Sequence, residues 1–162
     1  MVGPVKQTGV KVVATNRQAR HRYTLLDTYE CGLVLTGSEV KSLREAKVQL
    51  TEAWGSIDAG EAWLHGLHIA PYSHAQAHTG HEPTRDRKLL LHRHQIERIR
   101  MKMQLERLTL VPTRLYFSDG KVKVELALGK GKSNIDKRQD LAKRQSDRDA
   151  AREIANARRR TD

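Results

Sequence analysis

At 162 residues the chain is long enough for one domain with a short excess. Lysine and arginine number 30 against 19 acidic residues, a net charge of +11, and the isoelectric point near 10.1 makes a polyanion the first partner to consider. The single cysteine, Cys31, excludes an internal disulfide framework and a cysteine-based zinc finger, and no apolar run approaches the ~18 residues of a membrane span. The opening MVGPVKQTGVKVVATN has no apolar block of a secretory leader, so we expect a soluble cytoplasmic protein with no membrane partner.

Residues 1–129 carry a net +6 and hold the apolar residues of a core; their first dozen are expected to be loose. Asn16 can cap a short helical turn over Arg17 to Arg20. Tyr23 to Tyr29 reads as a strand, resumed at Leu33 to Leu35 and turned by Thr36-Gly37. Trp54 to Ile57 and Glu61 to Ile69 flank Asp58-Ala59-Gly60, a hairpin signal. Ile96, Ile99 and Met103 recur at helical spacing, which predicts one long helix between His92 and Arg107. Leu108 to Phe117 and Lys121 to Leu128 flank Asp119-Gly120, the clearest hairpin of the chain, with Pro112 expected at an edge or bulge. The body therefore reads as mainly β, an OB-fold-like closed barrel of about six strands with flanking α-helices.

Residues 130–162 carry a net +5, have no aromatic residue, and offer only Ile135, Leu141 and Ile154 as large apolar groups. Such a segment cannot bury enough surface to offset its ordering entropy, so we expect a disordered basic C-terminal tail, tied to the body by a flexible link at 129–133. Wound as a helix, it would gather Lys137, Arg144, Arg148, Arg152 and Arg159 into an arc of about 80°, with Asp136, Asp140 and Asp147 on the flank. That pattern suits a chain that becomes helical along a phosphate-lined surface; a permanently disordered solubilising tail fits the composition equally well.

Several groups carry chemistry. Asn16-Arg17-Gln18-Ala19-Arg20-His21-Arg22 packs three arginines, a histidine and two amides into seven positions; guanidinium forks phosphate and imidazole stacks on a base. A solvated basic turn is the plainer reading. In Arg85-Asp86-Arg87-Lys88 the cations can touch a backbone phosphate, and one of Leu89, Leu90 and Leu91 must face outward. His74, His78 and His81 have metal-like spacing but no cysteine to close a site, so a polar loop is the better reading and no cofactor or metal is expected. We find no phosphate-binding glycine loop, nucleophile elbow or carboxylate pair, and read the chain as a non-enzyme.

The stretches NRQARHRYTLLDTYECGLVLTGSEVKSLREAKVQL, PTRDRKLLLH, LTLVPTRLYF, GKVKVELALGKGK and the triplet DKR together resemble the SsrA-binding protein family, SmpB, between Asn16 and Arg138. The resemblance implies an OB-type barrel that binds the tRNA-like domain of transfer-messenger RNA (tmRNA). It also implies delivery of that RNA, with EF-Tu, to stalled ribosomes for peptide tagging. On this sequence the RNA-binding residues would include Asn16, Arg20, His21, Glu30, Leu91 and Lys123, beside the Arg17, Arg87 and Lys88 read from composition. A carboxylate such as Glu30 accepts from a guanine edge or a 2′-hydroxyl, or else pairs with a nearby arginine. The resemblance places Lys130, Gly131, Lys132, Asp136, Lys137 and Arg138 in the small-subunit decoding centre and messenger channel, and the basic stripe with Arg144, Arg148 and Arg152 suits that path. Two rivals stay open on composition alone: a structural ribosomal protein with an OB barrel, and an RNA-processing enzyme built on His74 and His78.

Overall fold

The computed structural model describes residues 9–74 and 80–161. In chain order they form β1 (Val10–Thr15), α1 (Ala19–Arg22), β2 (Tyr23–Leu33), α2 (Gly37–Arg44), β3 (Val48–Gln49), β4 (Trp54–Asp58), β5 (Glu61–His65), β6 (His68–Ile69), β7 (Arg87–Leu90), α3 (Arg93–Glu106), β8 (Thr109–Ser118), β9 (Lys121–Gly131) and α4 (Asn134–Thr161). The architecture is mainly β sheet with flanking helices.

Turn chemistry sets the two hairpins. Asp119 and Gly120 take φ of 50° and 79°, and Ala59 and Gly60 take 49° and 77°. Two successive positive φ values match the twist of the flanking strands, so β8 pairs with β9 from Ser118↔Lys121 and β4 with β5 from Asp58↔Glu61. Pro112 has no N–H to give a ladder, and the β8–β9 register shifts between Pro112 and Arg114, as a bulge should.

The large sheet runs β1-β8-β4-β5-β7-β2-β9, and β8 also pairs with β9, so the ladder returns to β8. β4 meets β8 at Gly55↔Leu110. A Cβ on Gly55 would lie 2.7 Å from Leu110 Cδ2, so only glycine permits that approach. Alternation then sends Cys31, Leu64, Leu89, Leu110, Leu115, Val124, Leu126 and Leu128 to one side, where they form a single core with Leu43 of α2 and Ile96 and Ile99 of α3. α3 starts in a capping box at His92 and Gln95 and stops at Arg107, whose φ of 51° and ψ of 53° are left-handed.

Four expectations change. Residues from Val10 onward are not loose: they are β1, laid along β8 from Val10↔Ser118; residues 1–8 lie outside the described part. α1 follows Gln18 rather than Asn16, because Asn16 is spent on β8. The sequence reading passed over α2, whose Thr36 and Glu39 make a capping box. Finally, the expected flexible link is strand as far as Gly131, with Thr24↔Lys130 and Tyr23↔Gly131 in register.

The C-terminal segment is a continuous helix of 28 residues where we expected no fixed structure. Isolated helices become marginal below about 12–15 residues, a length α4 exceeds twofold. It adds i,i+4 links from Arg144 to Asp140 (3.1 Å) and Gln145 to Asp149 (3.0 Å). Its start is tied down by Lys132, whose Nζ donates to Asp140 at 2.8 Å and whose N–H donates to the Arg22 carbonyl at 3.0 Å. Among the described side chains of α4, the large apolar Leu141 and Ile154 are exposed, so they bury no apolar face. No helix among the described residues is long and apolar enough to cross a membrane.

Candidate nucleic-acid interface

Short connections bring the basic segment of residues 16–22 onto β8 and the root of α4. The Asn16 N–H donates to the Thr113 carbonyl (2.7 Å) and its Nδ2 to the Pro112 carbonyl (3.0 Å), so the bulge of β8 holds Asn16 in place. Its Oδ1 is buried and has no hydrogen-bond partner among the described residues. An orphaned acceptor of this kind costs free energy unless something else donates to it.

A groove of about 1410 Å³ lies between β2, β8 and α4. Asn16, Arg17 and Arg20 of the body and Lys132, Lys143 and Arg144 of the C-terminal segment line it together. Two segments more than a hundred residues apart thus converge on one cleft and bring five cations to it, with Arg114 of β8 as a sixth. Among the described residues, Arg17 and Arg20 make no ion pair, so both guanidiniums are available for phosphate. The hydrogen bond from Lys132, with the charges of Lys132, Arg144 and His21, holds the Asp140 carboxyl below the usual range. Lys132 Nζ also donates to the Arg20 carbonyl at 2.8 Å, so this lysine ties the acid of α4 to the body.

At its far side the groove reaches Arg114 and Glu125, joined at 2.6 Å. The Glu125 hydrogen bond holds the Arg114 guanidinium above its ordinary value. The Arg114 guanidinium sits 4.8 Å from the Tyr116 ring centre, and the Tyr116 hydroxyl donates to Glu30. Burial first, then Glu30, pushes the Tyr116 phenol up, so it stays a donor. Glu30 therefore leans on a tyrosine instead of an arginine, and the arginine within reach goes to Glu125. β-pairing aligns Glu30 with Glu125 and Gly32 with Lys123, which puts Glu30 and Lys123 on one face of the sheet.

Lys88 is half-buried and bound to Glu61 at 3.2 Å. Leu90 is the outward member of its triplet, 54% exposed, while Leu91 packs half-buried against the core. Arg87 is a correction: it is fully buried and reaches no phosphate. Its Nε donates to Glu39, and its other nitrogens donate to the carbonyls of Leu67 (2.7 Å) and Pro83 (3.0 Å). Desolvation alone would raise the Glu39 carboxyl, but hydrogen bonds from Arg85, the Thr36 N–H and Arg87 outweigh it and hold it below the carboxylate range. A charge run cannot reveal this, because Glu39 lies 48 residues away.

Of the tail positions, Lys130 and Gly131 end β9, Lys132 is clamped, Lys137 is half-buried, and Arg138, Arg148 and Arg152 are exposed on α4. Asp136 is on α4, but its side chain lies outside the described residues, as does all of His78. His81 is occupied by Ser38 Oγ and the Ile69 carbonyl, each at 2.9 Å, and His74 meets Tyr72 edge-on. No group of three metal-ligating side chains occurs among the described residues. The sequence reading missed Arg114 and Tyr116. Their i,i+2 spacing in the predicted strand was the available signal, but what they face depends on the partner strand.

A family model described as "SmpB protein" matches residues 13–156. The chain is 58% identical over 150 residues to the SsrA-binding protein of Nocardia farcinica, covering 93% of each. It is 58% identical over 144 residues to that of Mycolicibacterium smegmatis, covering 89% of each. It is also similar to a solved structure described as "tmRNA-SmpB: a journey to the center of the bacterial ribosome", with a TM-score of 0.64, 42% identity, and 79% of this chain and 93% of that chain covered.

Proposed function

The chain belongs to the SmpB protein family, and from that premise we propose that it binds the tRNA-like domain of tmRNA and carries it to stalled ribosomes for trans-translation. The observation that carries this reading is the cationic groove, which joins Asn16, Arg17 and Arg20 of the body to Lys132, Lys143 and Arg144 of the tail. No bond chemistry is involved: the function is recognition. The ladder that returns to β8 supports reading the body as a closed OB-type barrel, a fold suited to nucleic-acid binding. Phosphate contacts from Arg17, Arg20 and Lys143 supply most of the affinity. Glu30, Lys123, His21, Lys88 and Leu91 add contacts that depend on base edge and ribose.

The basic stripe Lys137, Arg144, Arg148 and Arg152, with Arg138 beside it and Lys130, Gly131 and Asp136 at its root, follows rRNA in the small-subunit decoding centre and the empty messenger channel. EF-Tu accompanies the RNA, and the protein works in the cytoplasm. The test is a division of labour. Deleting residues 136–162, which also removes Lys143 and Arg144 from the groove, should leave weakened but still saturable binding of a tRNA-like-domain transcript and abolish tagging in a reconstituted stalled-translation reaction. Normal tagging by the truncated chain would refute the tail's role. Absence of any preference for that transcript over unrelated duplexes at moderate salt would refute the reading as a whole.

A further inference from the structure

A second, smaller groove lies beside the first and shares Asn16 with it. We propose that this groove seats a single unstacked nucleobase of the bound RNA on the indole of Trp54. The inference rests on the RNA-binding reading above and deepens it.

Trp54 opens β4 and is 49% exposed, an unusual place for a residue with so much apolar surface unless something covers it. One side of the indole is backed by His65, its register partner on β5, with ring centres 4.4 Å apart and planes tilted by 31°. That imidazole cannot turn freely. Its Nε2 is bonded to Ser56 Oγ at 2.6 Å and its Nδ1 to Asp86 Oδ1 at 2.7 Å. The relay holds the indole as a rigid platform, which lowers the entropy lost when a partner stacks on it.

The groove is lined by Trp54, Asn16, Gln18, Arg22, Tyr23 and Thr51, among others, and holds about 220 Å³. Sites for drug-sized ligands run to ~300–1,000 Å³, so this one is scaled to a single flat ring. Arg22 stands over it in a long, exposed pair with Glu52 (3.8 Å), a contact weak enough to be exchanged for a phosphate. The unpartnered Asn16 Oδ1 is an acceptor that an exocyclic amine or a 2′-hydroxyl would satisfy. Because Asn16 lines both grooves, a strand held along the larger cleft reaches the smaller one without leaving the protein. Aromatic platform, cation and orphan acceptor together are the elements that read splayed-out bases in RNA.

The experiment uses the full-length chain carrying Trp63→Phe, which leaves Trp54 as its one indole. It is titrated with a labelled tRNA-like-domain transcript while RNA anisotropy and tryptophan emission are followed together. We expect emission to be quenched with the same midpoint as the anisotropy. Trp54→Ala should weaken binding roughly ten-fold and Trp54→Phe should recover most of the loss. Saturable binding with unchanged emission overturns the nucleobase seat and leaves the RNA-binding reading standing; no binding in either channel overturns both. Quenching that appears only on adding a protein partner assigns the groove to a side chain and also overturns the proposal. Should Trp54→Ala fail to fold, the Trp63→Phe titration decides alone.

Discussion

Residues 1–129 (net +6) and the C-terminal segment 130–162 (net +5) carry nearly the same net charge, yet they use their cations in opposite ways. In the body, Arg87 is sealed from water and bonded to Glu39 and to backbone carbonyls. On α4, the Arg144 side chain is 44% exposed and its acidic neighbour Asp140 is shared with Lys132. A buried guanidinium without its partner leaves an uncompensated charge in a low-dielectric interior; an exposed one loses only a screened contact. Burial, rather than charge, therefore decides whether an arginine here maintains the fold or is free to meet a polyanion.

Breaking the buried pair should produce the largest effect. Glu39→Ala strands Arg87 and should cost about 3–5 kcal/mol of stability in a urea titration. Arg144→Ala, its counterpart on α4, should change stability by no more than about 0.5 kcal/mol. Equal losses from the two would erase the distinction.

Acid should sharpen it. The folded-state value of Glu39 is held below its unfolded value of about 4.3, so its contribution is complete above that pH and is lost as pH falls through the folded value. Stability should decline on that acid limb, and Glu39→Gln should flatten the decline, as read by unfolding titrations at a series of pH values. An unflattened limb would move the acid sensitivity elsewhere.

Binding reverses the ranking. Arg144→Ala should weaken RNA binding across sequences and reduce the salt slope by about 1. A slope unchanged from the parent would remove Arg144 from the phosphate contacts.

The smallest effect concerns Cys31, inside the core. Burial, eased slightly by Lys123, pushes its thiol up to about 12. A thiol reagent at pH 8 should leave it untouched until denaturant is added. Rapid labelling of the native chain would mean that β2 opens locally.

Local chemistry made much of this legible in advance. Asp119-Gly120 and Ala59-Gly60 demand their turns, Pro112 its bulge, and Ile96, Ile99 and Met103 their helix, because each signal acts within a few residues. The same holds for the tail: with Leu141 and Ile154 its only large apolar residues after Ile135, no hydrophobic face was possible. β1 was missed because its pattern becomes a strand only when β8 lies alongside. α2 was missed although Thr36 and Glu39 carried the capping signal, because Gly37 at the first helical position reads as a turn.

Sequence by itself determined the composition of the site: an arginine-rich segment, a carboxylate in a strand, and a tail too polar to join the core. Tertiary structure decided the membership of each group. It withdrew Arg87 to pair with Glu39, gave Glu30 a tyrosine partner, and set Asn16 between two grooves with one acceptor unsatisfied. The physical reason is distance along the chain. Turn and helix signals are written within a few residues, whereas burial and electrostatic partnership depend on strands brought together from 48 to 96 positions apart.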